Sequence, residues 1–281
     1  MANISQLSTF WRATMGFLTG KTAIITGAGR AVLSDGSCGS IGYGIATAFA
    51  KEGANLVITG RNVKKNWKRQ KASWKPSMAS AFCRCRQMCA PAPTTKPPCK
   101  MSSIRLWIRF GGIQVLVNNA QASASGVPLA EHTTEQFDLA LYSGLYAAFY
   151  YMKACYPYLA KSNGSVINFA SGAGLFGNFG QCAYAAAKEG IRGLSRVAAT
   201  EWGKDGINVN VICPLAWTAK LEQFQQAYPD AFKANVKMPP MGHYANPETE
   251  IGRVCVQLAM PDFKYLSGET LTLEGGMGLR P

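Results

Sequence analysis

The sequence predicts an α/β fold, a single domain built on a doubly wound parallel sheet. Short apolar runs alternate along the chain with segments of helical periodicity, and a glycine-rich turn follows the first of these runs. Of the 281 residues, 48% are hydrophobic and 16% are charged, which is enough apolar material for one large core. Strands that alternate with helices form a parallel sheet, and ligands bind at the carboxyl ends of its strands.

Six segments are predicted as strands, because each is a short run with apolar residues near turn residues, as in a buried parallel sheet. They are Lys21–Thr26, Asn55–Thr59, Ile113–Asn118, Ser165–Phe169, Asn208–Ile212 and Glu269–Leu273. Helical periodicity predicts helices over Ile41–Glu52, Thr133–Leu159 and Ala183–Gly203. We expect residues 1–20 to be an N-terminal extension and residues 21–281 to be the domain.

The net charge of +14 comes mostly from one segment. Residues 66–110 contain ten Lys and Arg residues and no Asp or Glu, and the rest of the chain has 19 basic and 15 acidic residues. A nucleic-acid-binding protein would carry its basic charge on a folded face. We therefore expect no nucleic-acid partner.

The same segment, residues 66–110, has neither strand nor helix periodicity, and it contains five of the 14 prolines and four of the nine cysteines. One interpretation is a disordered linker, although a linker of this length is unusual inside one domain. Another is a metal site at Cys83, Cys85, Cys89 and Cys99, although this spacing matches no common zinc pattern.

A frameshift in the gene explains the segment better. Reading the DNA two bases later turns the codons of Asn66-Trp67-Lys68 into Leu-Glu, whichever synonymous codons are used. With permitted codons residues 72–89 become KLEAKYGIRVLPLQADVC, and AGADNEAAVQNVVDTAMDS follows. This string contains the helix, strand and amphipathic helix that the sheet lacks between Asn62 and Ile113.

A phosphate-binding turn is predicted at the end of the first strand. The sequence TGAGR occupies Thr26–Arg30, and Ser40-Ile41-Gly42 follows at the start of a helix. Glycines such as Gly27 and Gly42 let the backbone approach a pyrophosphate, and the helix N-terminus favours its negative charge. Fourteen residues lie between these two glycines, so the turn is unusually long.

Two arginines suggest which dinucleotide binds. The second strand runs into Gly60-Arg61, where an acidic residue would select NAD and an arginine suits the 2′-phosphate of NADP. Arg30 in the first turn is a second basic candidate. The alternative for each arginine is a solvated surface charge.

A tyrosine and a lysine stand four residues apart in the helix that follows a glycine-rich loop. Tyr184 and Lys188 therefore share one helix face, and we expect the ammonium of Lys188 to lower the pKa of the Tyr184 phenol. Ser171 follows the preceding strand, at the sheet edge where ligands bind. This order predicts an acid/base site.

These motifs together resemble the short-chain dehydrogenase/reductase family, whose fold is Rossmann-like. They are TGAG with SIG, Asn118-Asn119-Ala120, Ser171 and Tyr184-x-x-x-Lys188. The resemblance implies that Tyr184 is the acid/base, that Ser171 holds the substrate oxygen and that Lys188 binds the nicotinamide ribose. It also implies that Asn118, Ala120, Pro214 and Thr218 contact the cofactor, that no metal is needed, and that the long helices pair subunits into a homo-oligomer, a tetramer.

The chain departs from the family pattern at three positions. Gln121 replaces the usual glycine after the Asn-Asn-Ala motif, and Leu215 replaces the glycine after Pro214. Gly144 stands where the family has a catalytic asparagine. A water-mediated proton relay through that asparagine is therefore in doubt.

A narrower resemblance is to bacterial hydroxysteroid dehydrogenases that use NADP on the 12α-hydroxyl of bile acids. It rests on NNAQASASG, YSGLYAAFYYMKACYPYL, FASGAGLFGNFGQCAYAAAKEGIRGLSR and SGETLTLEGGMGLRP. A large apolar substrate also fits a group of side chains predicted to face the cleft, although core packing is the alternative for each: Leu175, Phe176, Phe179, Trp217, Phe224 and Met241. The alternative substrate is another ketone, such as a 3-oxoacyl thioester or a sugar.

The cellular compartment is suggested by the cysteines and the N-terminus. Nine cysteines are an odd number, and the first residues do not form an export signal. No apolar run reaches the ~20 residues of a membrane span. We expect a cytoplasmic protein with reduced thiols and no membrane partner.

The frameshift hypothesis predicts that the chain as written folds poorly and that a gene with the frame restored gives active enzyme. The altered segment would remove tens of buried side chains at ~1.5–3 kcal/mol each, against a net stability of ~5–15 kcal/mol. Expression of both versions, with activity assays in parallel, measures this. Equal activity, or intact codons from Lys65 to Phe110 on resequencing, would contradict it, and every variant proposed below can be made in both versions.

Overall fold

In the described parts of the chain, seven parallel strands form one sheet in the order β3-β2-β1-β4-β5-β6-β7. The computed structural model describes residues 16–60, 83–86 and 112–278, with only the backbone for residues 83–86. The strands are β1 (Thr22–Ile25), β2 (Asn55–Gly60), β3 (Cys83–Arg86), β4 (Val115–Asn118), β5 (Ser165–Phe169), β6 (Asn208–Pro214) and β7 (Thr270–Leu273). The predicted doubly wound parallel sheet is confirmed, with its topological switch point between β1 and β4.

Strand β3 lies inside the segment that the frameshift hypothesis concerns. It pairs in parallel with β2, with Val57 opposite Cys83 and Gly60 opposite Arg86. The hypothesis implies an irregular backbone in this segment, and for these four residues that expectation is wrong. Their sequence, CRCR, is not an apolar strand. The other residues of 66–110 lie outside the described parts of the chain, so the frameshift stays a prediction.

Helices cover the sheet on both faces. They are α1 (Ile41–Lys51), α2 (Thr134–Ala140), α3 (Ala147–Lys161), α4 (Gly172–Phe176), α5 (Cys182–Trp202), α6 (Ala219–Ala227), α7 (Pro229–Asn235) and α8 (Arg253–Leu258). Two π-helical turns, Leu141–Tyr146 and Pro247–Gly252, join α2 to α3 and lead into α8. The single helix predicted over Thr133–Leu159 is therefore wrong in its middle, where the backbone widens into a π-turn. A capping box of Thr133 and Gln136 does begin the helix as its sequence suggests.

The core lies in two apolar layers, one on each face of the sheet. Alternate residues of β1 separate them, since Ile25 packs with one layer and Ile24 with the other. The first layer is built around Phe49 of α1, and the second around Met152 and Leu159 of α3. Each helix is thereby fixed against the sheet, which sets where its ends lie relative to the strand ends.

Residues 16–20 pack against the domain. Leu18 is fully buried in the first apolar layer, and its backbone N–H donates to the carbonyl oxygen of Glu52 at 2.9 Å. The division of the chain at residue 20 stays a prediction, because residues 1–15 lie outside the described part. Within the described ranges, no helix is both long and apolar enough to cross a membrane.

Candidate active site

The glycine-rich turn after β1 approaches the loop after β4 so closely that side chains are excluded. Gly27 has a φ of 71°, and a Cβ there would lie 2.9 Å from the Cα of Ala120. A Cβ on Gly42 would lie 2.6 Å from the Gly27 carbonyl oxygen. Ser40 precedes α1, but its hydroxyl donates to the carbonyl of Gly29 at 3.1 Å and makes no cap. The start of α1 therefore suits a phosphate group.

The fourteen residues between the two glycines form a short hairpin that contacts α6. Val32 and Cys38 make an antiparallel bridge, which is the base of the hairpin. At its tip, the backbone N–H and the hydroxyl of Ser34 donate to the Glu222 carboxylate, the hydroxyl at 2.7 Å. The sequence showed a long turn but not its partner.

A cleft of about 380 Å³ opens at the carboxyl ends of the strands. Eight residues predicted to be at the site line it: Gly27, Arg30, Ser40, Ile41, Ala120, Tyr184, Lys188 and Pro214. Eight others that sequence reasoning did not single out as cleft residues line it too: Gly29, Gly60, Asn119, Gln121, Ala122, Phe169, Ala170 and Lys220. Their positions could have identified them, because they adjoin strand ends or predicted motifs.

Other predicted residues lie elsewhere. Asn118 is buried in the sheet, where its amide Nδ2 donates to Asn168 at 2.8 Å, and Asn119 faces the cleft. The contact of Asn118 with the cofactor stays a prediction. Thr218 caps α6 by accepting from the N–H of Leu221. Gly42 lies beneath the turn, and Arg61 lies outside the described residues.

The cleft fits a phosphate-bearing dinucleotide. Arg30 has a buried Nε with no hydrogen-bond partner in the structure, although the rest of its side chain is partly exposed to the cleft. Lys220 brings a second positive charge from α6. A buried donor without a partner is rare, and an anionic ligand would supply an acceptor. The glycines, the α1 N-terminus and these two cations would hold the phosphates.

Ser171, Tyr184 and Lys188 meet at the end of β5. The Ser171 hydroxyl donates a hydrogen bond to the Tyr184 phenol. Lys188 Nζ lies 5.4 Å from the centroid of the Tyr184 ring and donates to the carbonyl oxygen of Phe169 at 2.8 Å. Helix α5 carries the tyrosine and the lysine on one face, as their four-residue spacing predicts.

The expectation that Lys188 lowers the pKa of the Tyr184 phenol is wrong in this structure. Desolvation in the cleft raises the pKa of the Tyr184 phenol, and the hydrogen bond from Ser171 opposes that rise only in part. The lysine is buried and bonded to the Phe169 carbonyl, so it lies over the ring and not against the phenol oxygen. Burial lowers the pKa of Lys188 itself to about 8, which lets it gain or lose a proton near neutral pH.

Aromatic side chains follow the strand ends around the cleft. Trp217 and Phe224 both pack against Phe232 of α7, at ring distances of 6.0 and 6.1 Å. Three of the side chains predicted to face the substrate are strongly exposed: Phe176, Phe179 and Met241. Leu175 instead packs against the buried cluster of Ala170, Val211 and Cys213, as its core-packing alternative predicts.

Metal binding finds no support in the parts of the chain that the structure describes, where no group of three His, Cys, Asp or Glu side chains could hold an ion. The four cysteines of the alternative metal site have side chains outside those parts.

The fold and this site define a class of protein. A family model described as enoyl-(acyl carrier protein) reductase matches residues 36–278. The solved structure of Cj0485 dehydrogenase is 26% identical, with a TM-score of 0.78 over 94% of this chain and 96% of that one. The chain belongs to the short-chain dehydrogenase/reductase family and is an oxidoreductase.

Two curated relatives indicate the range of similarity. A protein named 12α-hydroxysteroid dehydrogenase from a Clostridium species is 60% identical over 267 residues, which are 95% of this chain and 100% of that one. A 3-oxoacyl-[acyl-carrier-protein] reductase from Thermotoga maritima is 28% identical over 253 residues, 89% of this chain and 98% of that one. The resemblance deduced from the motifs is confirmed.

The lowered pKa of Lys188 predicts how stability changes with pH. Because the folded pKa of about 8 lies below the ordinary lysine pKa of 10.5, the unfolded chain binds more protons between these values. The free energy of unfolding should gain roughly 3 kcal/mol from this group as pH rises from about 8 to about 10.5. Urea unfolding of the wild type and of Lys188→Met measures it, and Lys204→Met, at an exposed position, is the control. The same pH dependence in Lys188→Met as in the wild type would contradict the prediction.

Proposed function

We propose that this chain oxidises the 12α-hydroxyl of bile acids to a ketone, and reduces the ketone, with NADP. The observation that carries the proposal is the convergence of Ser171, Tyr184 and Lys188 on a dinucleotide-sized cleft beside exposed aromatic side chains. The 60% identity to the clostridial 12α-hydroxysteroid dehydrogenase supports the substrate class.

In the oxidation, the phenolate of Tyr184 accepts the proton of the substrate hydroxyl. The hydroxyl of Ser171 donates a hydrogen bond to the same substrate oxygen and stabilises its developing negative charge. A nicotinamide dinucleotide, when bound, supplies the acceptor for the hydride that leaves the carbinol carbon. In the reduction Tyr184 returns the proton to the oxygen. The hydrogen bond from Ser171 favours the phenolate, against the desolvation that raises the phenol pKa.

The exposed apolar side chains suit the flat face of a steroid. Phe176 and Phe179 lie after β5, and the backbone N–H of Met241 donates to the carbonyl oxygen of Gly275, just after β7, at 3.0 Å, so they border the same end of the sheet. Each of these side chains is more than half exposed to water. An apolar ligand that covers them would remove apolar surface from water, which favours binding. A small sugar substrate would leave this surface in water.

Substrate preference tests the proposal directly. Deoxycholate and cholate should be oxidised, and chenodeoxycholate, which lacks the 12-hydroxyl, should not. Tyr184→Phe should abolish turnover while cofactor binding, measured by fluorescence titration, stays within about 2-fold of the wild type. Turnover of 3-oxoacyl thioesters or sugars without bile acids would favour the alternative substrate, and an active Tyr184→Phe would rule out the mechanism.

Preference for NADP is supported by positive charge in the cleft. Arg30 and Lys220 line it, and so does Gly60, at the end of β2, the residue that precedes Arg61 in the sequence. Arg61 itself lies outside the described residues, so its contact is part of the proposal.

Substitution of the arginines should separate the two cofactors. Arg61→Ala should raise the KM for NADP by at least about 10-fold, as loss of a charged hydrogen bond worth roughly 1.5–3 kcal/mol implies, and leave the KM for NAD nearly unchanged. Arg30→Ala serves as the second test and Lys204→Ala as the control on a distant surface. Equal effects of Arg61→Ala on both cofactors would show that this residue does not select the phosphate.

A homo-oligomer, a tetramer, is supported by an apolar groove between α3 and α5. The groove has a volume of about 260 Å³ and is lined mainly by apolar side chains: Phe149, Met152, Tyr156, Leu194, Val197, Ala198 and Trp202, with Lys153 and Glu201. Val197 is 55% exposed and Phe149 is 40% exposed. Surfaces of this kind are usually buried between subunits.

Light scattering measures the assembly. The wild type should be a tetramer, and Val197→Glu should shift it towards smaller species, because a buried carboxylate would be unpaired. Leu129→Glu, at an aliphatic position that is 74% exposed, is the matched control and should keep the wild-type mass. A monomeric wild type would contradict the proposal.

A cytoplasmic location is supported by the state of the thiols. The five cysteines whose side chains the structure describes are thiols and form no disulfide, and four of them are buried: Cys38, Cys155, Cys213 and Cys255. Burial raises the pKa of Cys38 to about 11, so this thiol is unreactive. Free thiols of this kind are typical of a reducing compartment.

A further inference from the structure

The carboxamide of Gln121 fills the space in which a side chain at position 144 would lie. A Cβ built on Gly144 would overlap Oε1 of Gln121 and lie 2.6 Å from its carboxamide carbon. Gly144 is buried in the first π-turn, so a side chain there would have to displace the carboxamide of Gln121 from this place. The departures from the family pattern at positions 121 and 144 are therefore one compensating pair.

The orientation of this carboxamide follows from its neighbours. Nε2 of Gln121 donates to the carbonyl oxygen of Ala140 at 3.0 Å. Exchanging the nitrogen and the oxygen would place two acceptors against each other. Oε1 therefore faces Gly144, where it is buried and has no hydrogen-bond partner in the structure.

Packing connects Ala140, which accepts this hydrogen bond, to the helix that carries the acid/base pair. Ala140 is fully buried and clusters with Ala183 and Ala187 of α5. These two alanines directly precede Tyr184 and Lys188 in the sequence. Gln121 also lines the cleft that contains both residues.

A second contact ties the same loop to the π-turn. The hydroxyl of Ser143 accepts a hydrogen bond from the backbone N–H of Ala122 at 2.9 Å, and Ser143 is itself buried. Two consecutive residues of the loop after β4 are thus fixed to the end of α2 and the start of the π-turn. The loop that faces the cofactor and the helix that carries the acid/base pair are joined at this point.

We propose that Gln121 is a positioning residue for Tyr184 and Lys188, and that glycine at 144 is what allows it to act. The carboxamide takes the place of a side chain on the π-turn and holds α5 through Ala140. This role rests on the proposed catalytic function of Tyr184.

Two substitutions of Gln121 separate positioning from packing. Gln121→Met keeps the length but cannot bond Ala140, and it should lower kcat on the order of 10-fold with cofactor Kd unchanged. Gln121→Glu keeps the shape but can donate to the Ala140 carbonyl only when protonated. Its kcat relative to the wild type should therefore recover as pH falls from about 8 towards about 5, near the ordinary glutamate pKa of about 4.3. A loss of packing alone would not produce that recovery.

The pair itself is tested by a double-mutant cycle. Gly144→Asn should lower both kcat and Tm, because the new side chain collides with Gln121. Adding Gln121→Gly should recover most of the Tm, so the effects on Tm should be strongly non-additive. The kcat should stay low, because the double variant still lacks the hydrogen bond to Ala140. Gln257→Met on α8 is the control for glutamine replacement and should match the wild type.

The outcomes distinguish this inference from the proposed function. An active Tyr184→Phe overturns the catalytic role on which the inference rests. An inactive Tyr184→Phe together with wild-type kcat in Gln121→Met overturns the inference alone, as do additive effects in the cycle. Should Gln121→Met fail to fold, the pH profile of Gln121→Glu and the recovery of Tm in the double variant still decide it.

Discussion

The site depends on the contact between the ends of β1 and β4, the two strands at which the sheet reverses its winding. The Thr26 hydroxyl accepts hydrogen bonds from the N–H groups of Asn119 and Ala120, at 3.0 and 3.1 Å. The Asn119 side chain returns one to the Thr26 carbonyl at 3.0 Å. These bonds bring two loops together and leave an opening on their outer side. Close contact at this point makes glycine necessary at position 27.

The acid/base pair is placed by burial more than by charge. Lys188 is 3% exposed, and its ammonium satisfies a backbone carbonyl at the end of β5. That bond holds the side chain extended along the helix face and towards the tyrosine ring. Burial makes the charged form of a lysine costly at this position. The pKa of Lys188 is therefore lower than that of a lysine on the surface.

Much of the fold was predictable because local pattern and tertiary environment agree. Strand β5 has the predicted bounds, since SVINF is buried throughout and flanked by glycine and a loop. The π-turn was not predictable, because its sequence, LYSGLY, keeps helical spacing and only the packing around Gly144 shows the wider turn. Helices α6 and α7 have mixed polar faces with no buried residue, so periodicity gave no signal for them.

The candidate site was predictable where a motif carries the chemistry and unpredictable where contacts decide. Tyr184, Lys188 and Ser171 follow from spacing and order. That Asn119 and not Asn118 faces the cleft does not follow from the sequence. Strand β4 is buried on both faces, so the alternation of residues along it shows no polar side. The partner of Ser34 could not be foreseen either, because 188 residues separate it from Glu222.

The fit of Gln121 against Gly144 also constrains how such a sequence could have arisen. While position 144 carries a side chain, the carboxamide at 121 cannot occupy its place beside Ala140. Loss of the side chain at 144 leaves only a small void, which a longer residue at 121 can later fill. The order that avoids this displacement is the glycine first and the glutamine second. Because glycine at both positions leaves only that void, the glutamine can be lost again by the same route, whereas a side chain regained at 144 would first displace the carboxamide.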